Sequence, residues 1–453
     1  MGSLFSVLHV ASNALGAYQR AMNVTSANTA NAATPGYAKQ VVQFEAQPFD
    51  PQIAVGGGVT YGGTVDTRDQ FAEENVRQRV SDQGKATQEA SQYASLESVF
   101  PVDGQSGLSA ALNSFFQAFS ALTTTPNDPD LRQNALNGAQ HTAQAFRTTI
   151  QQLDEVQTGV QQNLTEQVNA VNQLAQQIAT INQQVEHNAS AASDPGLSAR
   201  MSQALERLSQ YVDVTATNED NGTVSVSVGQ ATLVSGDKAR PLQLVPKSGQ
   251  MVLQDSQGND IAQQLSSGSL QAALNMADHV LPGMAANINQ LAQSFATAVN
   301  GALAGGVDQT NNPPAQDLFS FNAANGAAAT LTVNSLTPAQ LALAAPTAPG
   351  GNAVAVQIAN LQNARLINGQ TLSQYYGSLA SQVGGMVSNA QNDQTTAENL
   401  TAQAQSARQK LQGVSLDEEA MNLLEFQRGY EAMSQFVKAV NEMTQELIAN
   451  LVQ

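Results

Sequence analysis

Apolar residues recur at steps of three and four at both ends of this 453-residue chain, so head and tail are each patterned to bury one helical stripe. Leu4, Leu8, Ala11, Leu15, Tyr18 and Met22 form the first stripe. Leu423, Phe426, Tyr430, Met433, Val437, Val440, Thr444, Leu447 and Leu451 form the second. Chain ends ordinarily fray, whereas seams of this spacing favour coiled-coil pairing. The pattern predicts a discontinuous terminal domain, 1–60 with 405–453, in which the two ends pack lengthwise and the middle of the chain loops out. Such an arrangement suits a subunit that docks into a larger assembly.

The middle alternates between helical and strand periodicity. Thr34-Pro35-Gly36 stops the first seam, because proline lacks a donor and glycine permits positive φ. Val59, Tyr61 and Val65 alternate with polar residues between the glycine clusters 56–58 and 62–63, which reads as a small hairpin. Leu108, Leu112, Phe115, Phe116, Phe119 and Leu122 give a short helix with a wide apolar face. From Asp130 to His187 one register persists through Phe146, Leu153, Leu164, Val171, Ile178 and Val185, predicting a rod of roughly 85 Å at 1.5 Å per residue. Period-two patterning around the Asn221-Gly222 turn predicts a β-rich outer domain over 212–264. Helix resumes with Leu281, breaks at Gly305-Gly306, and yields to a smaller outer excursion over 319–350. Helices through Leu361 and then Leu379 to Leu411 lead back to the terminal seam. The segments 61–211, 265–318 and 351–404 thus compose a helical rod domain. The fold class is mainly α with a β-rich insert, elongated and multidomain.

Charge and composition exclude several functions. A formal net charge of -18 offers no basic field to a phosphate backbone, so nucleic acid is disfavoured. No run of about 18 consecutive apolar residues occurs, which speaks against membrane insertion. With no cysteine there is no disulfide, thiolate ligand or cysteine nucleophile. The first basic residue is Arg20 and the opening helix is amphipathic, so the chain begins without the pattern of a cleaved secretory signal.

The catalytic inventory is poor. His9, His141, His187 and His279 are far apart in sequence and form no metal-spaced pair. Neither a nucleophile elbow nor a phosphate-binding loop is present. No catalytic, cofactor-binding or metal-binding residue is assigned, and no cofactor is expected. Before the last helix, Ser415 is placed to cap free amides while Glu418 reaches back. Leu416, Asp417, Glu418 and Glu419 then read as an ordinary capped first turn whose acids suit the helix dipole.

Two motifs carry a resemblance. Residues 30–40, Ala-Asn-Ala-Ala-Thr-Pro-Gly-Tyr-Ala-Lys-Gln with Thr34, Pro35, Gly36 and Tyr37 at their centre, resemble the segment after the first helix of flagellar axial proteins. Gly413 to Glu419, continuing to Leu424, Gln427 and Tyr430, is similar to the C-terminal block of the hook-associated FlgK family, which joins hook to filament. Two departures stand out. The stretch from Leu197 to Met201 lacks the acidic pattern common there, and the region 319–350 is short, suggesting a reduced outer domain.

The resemblance implies a structural subunit, not an enzyme. It would be exported unfolded by the flagellar type III apparatus and assembled outside the cell as a layer of identical subunits at the hook–filament junction. Implied partners are the hook protein, the second hook-associated protein, and an export chaperone that holds the C-terminal helix. Together with the seam residues above, it makes the termini the expected assembly interface. Competing classes are another axial subunit of rod, hook or filament type, a type III translocator or adhesin, and an enzyme within the β-rich insert.

Overall fold

A computed structural model describes residues 2–48, 58–101, 104–247 and 250–451. The chain begins with α1 (Gly2–Asn31), followed by an antiparallel pair, β1 (Gln40–Ala46) and β2 (Val59–Asp66). Two helices follow, α2 (Gln70–Glu97) and α3 (Gly107–Leu122), then the 59-residue α4 (Pro129–His187) and α5 (Pro195–Ser209). At 1.5 Å per residue α4 is about 88 Å long. Its start has a clear cause: the Asp128 carboxylate accepts from the amides of Asp130 and Leu131, and Pro129 occupies the first turn, where its missing donor costs nothing.

The β-rich region is two separate sheets. β3 (Thr215–Asn218), β4 (Val224–Val228), β5 (Ala231–Ser235) and β6 (Lys238–Ala239) form an antiparallel meander, and β7 (Gln243–Lys247) pairs with β8 (Gln250–Gln254). The Asn221-Gly222 turn joins β3 to β4 as its residue types require, with Gly222 at φ +83. Helix returns at α6 (Ser269–Asn275), earlier than the pattern from Leu281 suggests. It passes through a π turn, Met276–Val280, into α7 (Leu281–Ala304). After β9 (Phe319–Ser320) and β10 (Thr332–Val333) come α8 (Ala353–Asn360), the 41-residue α9 (Leu372–Gln412) and α10 (Leu416–Leu451).

One apolar core runs between Leu96 and Val383 and takes in α3, α4, α6, α7 and the inward residues of both sheets. At its centre Phe295 packs against Phe115, Phe116, Phe146 and Phe319, with ring centroids 4.9–6.3 Å apart. Helix asparagines fasten strands and loops to this core by pairing with a single residue's amide and carbonyl, as a neighbouring strand would. Asn182 does so with Val224 at 2.8 and 2.9 Å, Asn172 with Leu242, and Asn300 with Phe319. The 319–350 region folds back instead of projecting: Phe319, Leu331, Leu341 and Leu343 are buried, and the buried Arg132 guanidinium donates to the carbonyls of Pro126, Pro338 and Leu341.

The small hairpin read around Tyr61 needs correcting. β2 runs straight through Gly62-Gly63, and its partner is the upstream Gln40–Ala46 strand. The glycine pair marks an irregularity in register opposite Gln43 and Phe44. There a Cβ on Gly62 would lie 2.6 Å from Glu45 Cγ, so the absent side chain is what lets the strands close.

Candidate functional site

The two chain ends pair antiparallel. Asn28 of α1 meets Glu419 of α10, and the Tyr18 ring lies against Gly429, so the same register runs Leu8 alongside Val440. The face of α1 that is fully buried is made of small residues, Ala11, Ala14, Ala17 and Ala21, followed by Thr25 and Asn28. Leu8, Leu15, Tyr18 and Met22 flank that face and stay half-buried. On α10, Leu423, Phe426, Tyr430, Met433 and Val437 are half-buried and Val440 is fully buried, whereas Leu447 is 49% exposed. In this register, past about Thr444, α10 faces no side chain of α1 among the described residues, which fits the exposure of Leu447. The side chains of Leu4 and Leu451 lie outside the described residues.

The β1–β2 hairpin lies along this pair. Phe44 stacks between Tyr18 and Phe426 at 5.9 and 6.0 Å, and the Arg20 guanidinium sits 4.6 Å from the Tyr61 ring centroid. A second apolar stripe on α10 faces outward and, Leu447 apart, was not singled out from sequence. Ala432, Phe436, Ala439, Met443 and Leu447 step by four, three, four and four, and all are exposed. Met421 and Leu424 extend it at 63% and 55% exposure. Its signal lay in the sequence as a parallel heptad beside the stronger one.

Where the terminal pair meets the body, the motif residues converge. Asn28 is saturated: its Nδ2 donates to Gln40 O and Glu419 Oε2, and its Oδ1 accepts from Gln40 N and the Tyr37 hydroxyl, all at 2.9–3.0 Å. Lys39 Nζ lies 2.7 Å from Glu418 and 3.3 Å from Glu419. Burial works against the Lys39 charge, but the two carboxylates outweigh it and hold its pKa above the ordinary lysine value. The first-turn acids therefore do more than suit a helix dipole. Ser415 Oγ accepts from the Glu418 amide at 3.5 Å, but the Glu418 carboxylate turns to Lys39 and does not reach back to the cap. Glu419 is 1% exposed. Leu416 and Asp417 remain exposed.

Thr34, Pro35, Gly36 and Tyr37 form the turn that carries the chain from α1 onto the body. Gly36 is required twice: its φ is +77, and a Cβ there would stand 2.5 Å from the Ala199 carbonyl oxygen of α5. The turn lines an open cleft of about 860 Å3 together with Gln203, Glu206 and Arg408.

Beside it lies a network that sequence reasoning missed. Glu73, 4% exposed, takes Arg68 Nη1 at 2.8 Å, Gln412 Nε2 at 2.5 Å, Ser202 Oγ at 2.9 Å and Arg408 Nη1 at 3.4 Å. Burial alone would raise the Glu73 pKa; Arg68, Gln412, Arg408 and Ser202 together hold it below the ordinary carboxylate range. Arg408 also pairs with Glu206 at 2.7 Å, and these carboxylates keep its guanidinium charged despite burial. These residues, up to 339 positions apart, carry no shared periodicity that would announce them.

His9 lies on α1, His141 and His187 lie 46 positions apart on α4, and His279 lies in the π turn; among the described residues no cluster of metal-ligating side chains forms. No helix of the described residues is long and apolar enough to cross a membrane.

Comparisons with known proteins agree with this architecture. Residues 93–319, half of the chain, match the model of the flagellar hook-associated protein FlgK helical domain. Residues 8–37 match the flagella basal body rod protein family, and 408–451 match the flagellar basal body rod FlgEFG protein C-terminal family, so each terminal helix carries its own axial-protein signature. The chain is 27% identical to flagellar hook-associated protein 1 of Bacillus subtilis over 99% of its own length and 98% of that protein's. It is 24% identical to the Salmonella typhimurium protein of the same name, over 98% and 99%. The solved flagellar hook junction protein FlgK from Burkholderia pseudomallei superposes with a TM-score of 0.68 at 16% identity, covering 76% of this chain and all of that one, which supports the shared fold. From the helical-domain match and the full-length relatives, the chain belongs to the FlgK family of flagellar hook-associated proteins, whose members are structural parts of the flagellum.

Proposed function

We propose that this protein forms the junction between hook and filament outside the cell. Copies would pack through their paired termini into a layer with helical symmetry. The observation that carries the reading is the incompleteness of the terminal pair. Two helices and a hairpin hold Ala11, Ala14, Ala17 and Val440 inside, while Leu8, Leu15, Tyr18 and Met22 stay half-buried and the Phe436 stripe faces out. Apolar area of that extent, on a chain with no basic field for other partners, fits neighbouring copies of the same helices. Leu4, Leu8, Leu15, Tyr18 and Met22, with Leu423, Phe426, Tyr430, Met433, Val437, Val440, Leu447 and Leu451, are the residues we assign to that interface.

In this reading the inner axial domain comprises 1–60 and 405–453, the helical rod 61–211, 265–318 and 351–404, and the outer parts 212–264 and 319–350. The neighbours along the axis are the hook protein on one side and the second hook-associated protein on the other. A chaperone covers the C-terminal helix until assembly. Electron microscopy of cells lacking this gene should show hooks without filaments and filaments free in the medium. Filaments that stay attached would end the proposal. A chain lacking residues 1–25 should keep the melting transition of its body yet fail to restore attachment.

A further inference from the structure

The connection between the terminal pair and the body is unlike the packing on either side of it. Among the described residues α1 runs along both α10 and the hairpin, and neither α1 nor α10 runs along a helix of the body. Along α2 and α9 the continuous apolar core stops at Leu96 and Val383, and on α5 it reaches Leu197 and Met201 beside the joint. Beyond it α2 and α9 continue as a neck closed mostly by small residues, Ala86, Ala90, Ala397 and Ala404, with Val76 and Val387 the larger side chains buried there. Three passages of chain cross from neck to terminal pair, at 32–39, 67–69 and 413–415, and polar groups tie them together.

Gln412 is the common member. Its carbonyl accepts from Lys39 N at 2.9 Å, its Oε1 accepts from Asp69 N at 2.9 Å, and its Nε2 donates to Glu73. One buried side chain and its own backbone thereby touch all three passages. Arg68 adds a second tie, donating from Nη2 to Gly36 O at 2.8 Å while its Nη1 holds Glu73. Ser202 of α5 and Arg408 of α9 brace Glu73 from the body side.

We infer that the Gln412–Glu73–Arg68 cluster is a polar latch that fixes the angle at which the terminal helix pair leaves the body, and that the pair can be released to a second angle without opening any apolar core. Hydrogen bonds of this kind exchange with water at small net cost, whereas separating packed apolar surface does not. A joint tied mainly by such bonds, with little apolar surface beside them, is stiff while closed and inexpensive to open. This inference concerns one subunit and does not depend on where that subunit stands in the flagellum.

The chain has no cysteine, so a pair can be introduced for a specific bridge. Ala33→Cys on the turn and Gln203→Cys on α5 line the same cleft, one on each element that meets at the joint. In the full-length protein assembled on cells, a short bismaleimide should bridge them within one chain, read as a mobility shift and confirmed by mass spectrometry. Adding Gln412→Ala should lower the bridging rate about tenfold, the equilibrium change expected from losing one buried hydrogen-bonded group. Glu73→Gln should act in the same direction, and Gln412→Ala should leave the melting transition of the body unchanged. Unchanged bridging in both variants, or no bridging with the latch residues intact, overturns the latch. Because the bridge forms inside one chain, its result is separable from whether filaments stay attached.

Discussion

The body and the terminal pair are both helical, yet they solve the burial problem in opposite ways. In the body, Phe295 and its four aromatic neighbours fill a closed core at a few per cent exposure or less. In the terminal pair the fully buried seam is largely alanine, and the large side chains sit at its margins or on the outer face of α10. The first region is finished within one chain. The second has its largest apolar groups where only another surface can cover them, which is the condition of a building block and not of a stand-alone domain.

The sharpest test of that contrast is Phe295→Ala. It should destabilise the body by about 3–5 kcal/mol, the usual cost of emptying a packed aromatic site, read as a lowered denaturation midpoint. A loss below about 1 kcal/mol would mean the core is looser than its packing implies. Next in size, Glu419→Ala removes a buried carboxylate from Asn28 and Lys39 and should cost the terminal pair about 1–3 kcal/mol. Faster amide exchange confined to α1 and α10, with body amides unchanged, is the expected reading.

Acid separates the regions without mutation. Glu73 titrates below its unfolded value, so its stabilisation is complete above about pH 4.3 and is lost as pH falls through the lower folded value. The joint should therefore loosen under acid before the Phe295 cluster, which has nothing to titrate. Simultaneous loss of joint protection and near-ultraviolet aromatic signal would contradict this. The smallest effect is expected from Phe44→Leu. It removes the ring between Tyr18 and Phe426 and should cost about 0.5–1.5 kcal/mol, visible as a modest rise in proteolysis of the hairpin.

Periodic features were legible in the sequence. The α4 register, the aromatic face of α3 and the Asn221-Gly222 turn all emerge where the pattern places them, because each depends on residues close in the chain. The pairing of the ends was also legible, since two seams with nothing else to cover them point to each other. What was hidden depends on partners distant in sequence. Asn28, Asn182 and Asn300 look like solvent-facing helix residues until a strand or loop backbone arrives beside them. Glu73, Arg408 and Gln412 are unremarkable polar positions until α2 and α9 lie antiparallel. The inward face of α1 was hidden for another reason. Alanine is a weak apolar signal next to leucine, yet it is what lets two backbones approach closely, and that left Leu8 and Leu15 at the flank.

One consequence follows from the length of α4. Its 59 residues form a single hydrogen-bonded column, and α3, α5, α6, α7 and the strands around β5, β6 and β10 all lean on it. A torque delivered near His187 therefore travels along an unbroken beam to Pro129, with no loop on the way to absorb it. In a rotating shaft the subunit would turn as one lever arm, and compliance would be confined to its articulation with the axis.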